Sequence, residues 1–286
     1  MNTSSNNTSR GIIALLIIVI FTFAPLCNVN AQSSDDEFGV WATVEASKKI
    51  NKKFKFVADA ELRTYDFVNN IERATIGAKF EYKILKWMKA NVGYSFMYTH
   101  EPEETKLKYD DIVTDIDGND FINYNIDHDY WVIRNRVYAT ISGEYKVGRF
   151  EFGLRERLQY TRTSSATVNE TKYRYDLGDD VLSTDDNQWT STTEPEFKDA
   201  KHNLSLRSRL SVKYNIPNCK INPFASVELY TRLDEWKGYD KIRYRIGGSY
   251  KINKKNSISL YYLYQDVNDV DEANGHAIGL EYSIDL

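Results

Sequence analysis

The chain has 286 residues, a formal net charge of −4, 14% aromatic residues including 21 Tyr, and two cysteines. Cys27 falls in an N-terminal leader, so only Cys219 remains and an intrachain disulfide is excluded. Metal-ligating Cys/His spacings and Gly-rich phosphate loops are also missing, which leaves no cofactor and no metal to assign.

Arg10 supplies a positive n-region, Gly11 to Ala24 a short apolar core, and Val29-Asn30-Ala31 small residues at the cleavage positions. Residues 1–31 therefore read as a signal peptide cut before Gln32, with 32–286 as a single domain. A membrane anchor is the competing reading. The apolar run, about a dozen residues, is short for a bilayer span, and Asn28 and Asn30 follow it. Lipid attachment at Cys27 is disfavoured by the bulky Leu26 before it.

From Phe38 onward the chain alternates apolar and polar residues. In the stretch 54–65, Phe54, Phe56, Ala58, Ala60 and Leu62 share one face, and Lys55, Asp59, Glu61 and Arg63 the other. A period of two means β-strand, and about ten residues is the length a tilted strand needs to cross a bilayer. The same unit predicts strands at 38–50, 54–66, 72–84, 88–100, 130–146, 150–163, 201–215, 223–233, 241–252, 257–266 and 276–286. Short basic or turn-like connections, such as Asn51-Lys52-Lys53 and Asn253-Lys254-Lys255-Asn256, alternate with connections that include the long polar segments 101–129 and 164–200. The pattern reads as an all-β, antiparallel outer-membrane β-barrel of about 10–12 strands, with short periplasmic turns and two long outer loops. A soluble secreted β-sandwich is the structural alternative.

Eleven strands conflict with the even number usual in single-chain bacterial barrels. The expected repair is a hidden strand, before Phe38 or within 164–200, that makes twelve. An odd barrel closed by a parallel pair is the other option. The last strand puts Ile278, Leu280, Tyr282, Ile284 and Leu286 on one face, as the barrel-assembly machinery is expected to engage.

Several short motifs carry a family resemblance. They are Phe38-Gly39-Val40-Trp41, Glu61-Leu62-Arg63, Glu81-Tyr82-Lys83, Pro223 to Leu229, Tyr244 to Gly247, Leu260-Tyr261-Tyr262 and His276 to Leu280. Over 38–286 the chain resembles domain-of-unknown-function family 2490, predicted outer-membrane barrels of Gram-negative bacteria. The resemblance implies a fold and a location and carries over no catalytic residue.

If the apolar faces meet lipid, the opposite faces line the interior. They supply Lys55, Asp59, Glu61, Arg63, Lys79, Glu81 and Lys83. Arg134, Arg136, Glu151, Arg155, Arg157, Arg207 and Arg209 follow on the middle strands. Glu228, Arg232, Arg243, Arg245 and Glu281 complete the set. A midplane Arg or Lys on the lipid face costs about 2–4 kcal/mol, which is why these side chains belong inside. A lumen plugged by ion pairs is preferred over an open, anion-attracting pore, because ten to twelve strands leave little room for long side chains.

Acid is concentrated in the loops, at Glu101, Glu103, Glu104, Asp110, Asp111, Asp115, Asp117 and Asp120, and again at Asp176, Asp179, Asp180, Asp185 and Asp186. Solvated loops are the favoured reading over divalent cations shared with lipopolysaccharide phosphates. Asp115 to Asp120 fails the EF-hand pattern, since Asp120 stands where that loop needs Gly, and Asp117-Gly118 reads as a hairpin tip. His202 and Ser205, three residues apart, point to opposite faces of a strand, so no nucleophilic pair is expected and the protein reads as no enzyme. Lys241-Ile242-Arg243-Tyr244-Arg245 fits strand alternation better than nucleic-acid binding. Trp41, Trp87, Trp131 and Trp236 are expected in aromatic girdles.

The function expected is a structural barrel or a narrow passive solute channel with an Arg-rich lumen. The alternative is a surface binding or adhesion barrel acting through 101–129 and 164–200, and a lipid-modifying enzyme ranks last. The expected partners are outer-membrane lipid and lipopolysaccharide, the barrel-assembly machinery and a small solute, with no nucleic acid.

Overall fold

The computed structural model describes residues 37–115, 117–177, 188–234, 239–268 and 274–286. The leader, Trp236 and the acidic residues 179, 180, 185 and 186 lie outside the described residues. Fifteen strands follow in order: β1 (Glu37–Lys49), β2 (Phe54–Tyr65), β3 (Asn70–Lys83), β4 (Met88–Glu101), β5 (Glu104–Thr114), β6 (Asp120–Asp127), β7 (Tyr130–Val147), β8 (Phe150–Thr163), β9 (Ala166–Asp176), β10 (Gln188–Lys198), β11 (Lys201–Tyr214), β12 (Ile221–Arg232), β13 (Tyr239–Lys251), β14 (Asn256–Val267) and β15 (Gly275–Asp285). No helix among the described residues is long and apolar enough to cross a membrane, which says nothing of strands.

Eleven strands close into a barrel in the order β1-β2-β3-β4-β7-β8-β11-β12-β13-β14-β15, and β15 returns to β1. Every expected strand is present, with its ends within about two residues of the sequence reading. The expected repair to twelve is overturned. The segment 164–200 does contain strands, but β9 and β10 pair with each other, and β9 pairs with β6, outside the barrel. Closure is instead parallel, from Glu37↔Gly275 to Ser47↔Asp285. The reason is polarity: antiparallel neighbours reverse at every step, so an eleventh barrel strand runs the same way as the first.

The two long loops are not coils. The hairpins β5–β6 and β9–β10 join through β6 and β9 into one four-stranded sheet at the end of the barrel where β4 and β8 finish. Phe121 stacks on Tyr175 at 3.6 Å, Tyr124 on Tyr173 at 4.7 Å, and Trp189 packs edge-on against Tyr175. Asp117-Gly118 does form the β5–β6 tip, where Asp115 accepts from the amides of Asp117 and Asn119 and Gly118 takes φ 81°. At the other end the turns are tight. Val147 pairs with Phe150, leaving Gly148-Arg149 between them, and Gly148 has φ 58°, the left-handed backbone that two-residue hairpin turns assign to glycine.

Alternation puts an apolar belt outside. Ile76, Phe80, Val92, Val137, Ile141, Leu154, Leu210 and Ile246 all point outward and all are more than 50% exposed. The opposite register points inward and is polar, small or aromatic, which is the inversion of a soluble core that a transmembrane barrel requires. One charged residue breaks the pattern at mid-strand among the described residues. Glu156, in the middle of β8, lies on the outward register between Leu154 and Leu158, beside Ser208 of β11.

The lumen as candidate functional site

Inward positions mix long cations, often two in succession as at Arg207 and Arg209, with small residues. The small residues let the rings of the lumen lie flat. A Cβ on Gly93 would meet the Tyr138 ring at 2.4 Å, and one on Gly279 would meet the Tyr261 ring at 1.9 Å. Small residues on one strand thus make room for a tyrosine on the next.

The centre is a belt around Glu228, which is only 2% exposed. Its carboxylate accepts from Arg207 at 3.0 Å and Arg209 at 2.7 Å, and Arg155 closes on the same group from β8. Arg207 also reaches Gln159 at 3.3 Å and lies over the Tyr230 ring at 4.3 Å. Arg243 donates to Gln265 at 2.7 Å and to the Tyr230 hydroxyl. Arg157 donates to Thr140 at 3.1 Å and covers Tyr138 at 4.2 Å. A desolvated carboxylate is tolerated here because several guanidiniums hold it at once.

The remaining residues singled out in the sequence fall along the same inner wall. Arg63 donates to Glu61 at 2.7 Å and stacks over Trp41 at 3.6 Å. Lys79 bonds Glu45 at 2.8 Å, and the oxygens of Asp59 lie against Gly77. Arg134 bonds Glu101 at 2.6 Å, and Arg136 donates to Thr161 at 3.1 Å. Arg245 lies 5.0 Å from the centre of the Tyr261 ring. Toward the short turns, Lys55 meets Asp285 at 3.5 Å, Glu81 meets Lys89 at 3.9 Å, and Glu151 meets Lys146 at 2.9 Å. Lys83, on the same register, adds only a backbone bond to Lys53.

Two cavities flank the belt. The larger, about 840 Å³, opens toward the long-loop end and has Arg73, Arg136, Arg232 and Arg243 in its wall. The smaller, about 330 Å³, lies toward the short turns and is lined by Ser142, Ser211, Ser226, Arg245 and Glu281 among others.

Three corrections concern this wall. Trp41 is not a girdle residue; it is 6% exposed and faces inward, packed with Tyr261, Leu263 and Ala277, because it shares the register of Thr43 and Glu45. Trp87 and Trp131, by contrast, are exposed near opposite ends of the barrel. Glu101 is not a free loop acid, since it ends β4 and ion-pairs inside the barrel. Arg73 joins the lumen without having been singled out in the sequence, although it has the same odd parity as Lys79 and Glu81 on β3. It pairs with both Glu61 and Glu72, at 3.8 and 3.9 Å.

His202 and Ser205 lie on opposite faces: Ser205 is 5% exposed in the interior, while His202 bonds Tyr160 on the outer surface. In the outer sheet, Asp127, Glu170 and Glu196 bring carboxylate oxygens within 4.8 Å of one another. Lys106 and Lys198 already sit on Asp127 at 2.6 and 2.7 Å, so lysines neutralise the group that a cation would need. Burial pushes the Asp127 carboxyl up, but hydrogen bonds from these two lysines outweigh it and hold it below the usual carboxylate range.

Comparison with known proteins gives similar solved structures and a family. The β domain of the Bordetella autotransporter BrkA is 10% identical, with 82% of each chain covered and a TM-score of 0.41. The monoaromatic hydrocarbon channel CymD is 9% identical, with 85% of this chain and 87% of that one covered and a TM-score of 0.29. Among curated proteins nothing matches. The family model for a protein of unknown function, DUF2490, matches residues 38–275, nearly the whole barrel, and the chain belongs to that family.

Proposed function

We propose that the protein is an outer-membrane β-barrel that serves as a narrow, passive solute path, held nearly shut by the Glu228 belt. The short turns face the periplasm, the four-stranded sheet faces outward, and lipid and lipopolysaccharide surround the apolar belt. The barrel acts on solutes by passage and not by catalysis. The observation that carries this reading is the pair of cavities with charged residues in their walls, about 840 and 330 Å³, stacked on either side of one buried ion-pair cluster. A barrel built for structure alone has no need of water-sized space on both sides of its plug, whereas a gated path does.

The test is single-channel conductance of the refolded mature chain in a planar bilayer under a salt gradient. Small, anion-preferring steps that grow when Glu228 is replaced by Ala support the reading. Silence from both proteins, each folded by heat-shifted migration on a gel, sinks it and leaves a structural barrel.

A second reading follows from the outer sheet. Its two hairpins form one aromatic-stacked unit, a surface fit for binding something outside the cell. Removing 164–200 then abolishes surface binding while leaving the eleven barrel strands folded and conductance intact.

A further inference from the structure

The long-loop cavity is more cationic than ion pairing requires. Nine arginines and lysines, Arg73, Arg134 and Arg136 among them, line it against three carboxylates, Glu72, Glu101 and Asp240. Arg136 donates to the hydroxyl of Thr161 at 3.1 Å and has no ion-pair partner among the described residues.

Buried donors without a partner recur along the lumen, and three of them lie together on adjoining strands. Arg73 Nε, Thr99 Oγ1 and Arg134 Nε are all buried with no hydrogen-bond partner among the described residues. They come from β3, β4 and β7, which are adjacent in the barrel, and Thr99 pairs directly with Arg73 and with Val132. All three residues, with Arg136, line the same cavity. Buried donors without acceptors are costly, and a group of them beside the wall of a cationic cavity suits an oxyanion.

We propose that Arg73, Thr99, Arg134 and Arg136 form a binding site for a small dianionic solute bearing phosphate or carboxylate groups. The inference rests on the reading of the lumen as a solute path, and it makes this site the point where a solute is selected before it meets the belt. Forked guanidiniums hold two oxygens of such an anion in plane, while the threonine hydroxyl supplies a neutral donor.

The test is isothermal titration calorimetry of the refolded full-length mature chain in detergent at low ionic strength. Inorganic phosphate and succinate are titrated separately, with erythritol as the neutral control. Saturable one-to-one binding of either anion, and none of erythritol, is expected. Phosphate alone points to phosphorylated solutes, succinate alone to dicarboxylates, and both to a site that reads charge. Arg136→Gln weakens binding at least tenfold, Thr99→Val weakens it severalfold, and Lys146→Gln at the short-turn end leaves it unchanged. Absence of saturable heat with both anions, or undiminished affinity in Arg136→Gln, overturns the proposal. If Arg136→Gln does not fold, the near-isosteric Thr99→Val decides in its place: severalfold weaker binding supports the site, and full affinity overturns it. Binding in detergent with a silent bilayer sinks the channel and leaves the site. Conduction without saturable binding sinks the site and leaves the channel.

Discussion

Ser208 donates to a carboxylate oxygen of Glu156 at 2.6 Å on the outer surface of the barrel, halfway along β8 and β11. Ile141, Leu154, Leu158 and Leu210 surround the pair, each exposed on the lipid-facing side. A carboxylate at this depth is destabilising, though less so than a lysine or arginine at about 2–4 kcal/mol. Glu156→Leu is expected to stabilise the barrel in lipid vesicles by up to about 2 kcal/mol, read as a higher urea midpoint. Ser208→Ala is expected to lower it, because the carboxylate loses its donor. A fall in stability with Glu156→Leu shows instead that another protein surface covers this face.

The Glu228 belt predicts the opposite sign. Removing the carboxylate leaves Arg155, Arg207 and Arg209 crowded together without their shared counter-charge. Glu228→Ala is expected to cost about 3–5 kcal/mol in equilibrium unfolding, the usual penalty for breaking a buried ion pair. Arg209→Met costs less, since two guanidiniums still hold the carboxylate. Equal losses from the two changes contradict this arrangement.

Gly279 and Tyr261 test packing in the lumen. A valine at 279 collides with the Tyr261 ring, and overpacking of this kind costs about 1–3 kcal/mol. Adding Tyr261→Ala to Gly279→Val is expected to recover most of the loss, a coupling that a double-mutant cycle measures directly. Additive losses mean that the ring moves aside freely.

The outer sheet should be sensitive to acid. The Asp127 carboxyl is held below its usual range by Lys106 and Lys198, so its folded value is lower than its unfolded one. A group of this sign contributes stability that is present above the unfolded carboxylate value, about pH 4, and is lost as pH falls through the folded value. Amide exchange in β5, β6, β9 and β10 is therefore expected to accelerate below about pH 4 while the barrel strands stay protected. Asp127→Asn should flatten that acid limb. Uniform loss across sheet and barrel contradicts a local cause.

The barrel strands are legible in the sequence because a bilayer on one side and charge on the other enforce a strict period of two. Phe54 to Leu62 on β2 is the plainest case. The outer sheet is not legible, and β10 shows why. Gln188–Lys198 has no apolar row, and it carries Pro195 opposite Asn169 on an edge strand, where the missing N–H harms no ladder. Its partner β9 is the preceding strand of the same hairpin and is itself polar, and the pairing of β9 with β6, far back in the chain, is one that local pattern does not announce. In the lumen, parity finds Arg207, Arg209 and Glu228 but not their convergence, since that depends on which strands neighbour which. Trp41 shows that parity outranks nearness to a strand end: its register sends it inward, although its position suggests a girdle.

The parallel seam between β1 and β15 has a consequence for how such a barrel changes over time. Adding or removing a whole hairpin changes the strand count by two and keeps the polarity of the closing pair. From eleven strands, duplication of a hairpin gives thirteen and loss gives nine, and neither restores an antiparallel seam. An odd barrel is therefore separated from every even one by the gain or loss of a single strand. That step turns one end of the polypeptide to the opposite side of the membrane. The seam is thus a lineage marker: relatives that share the parallel pair should share an ancestor, whatever their loops have become.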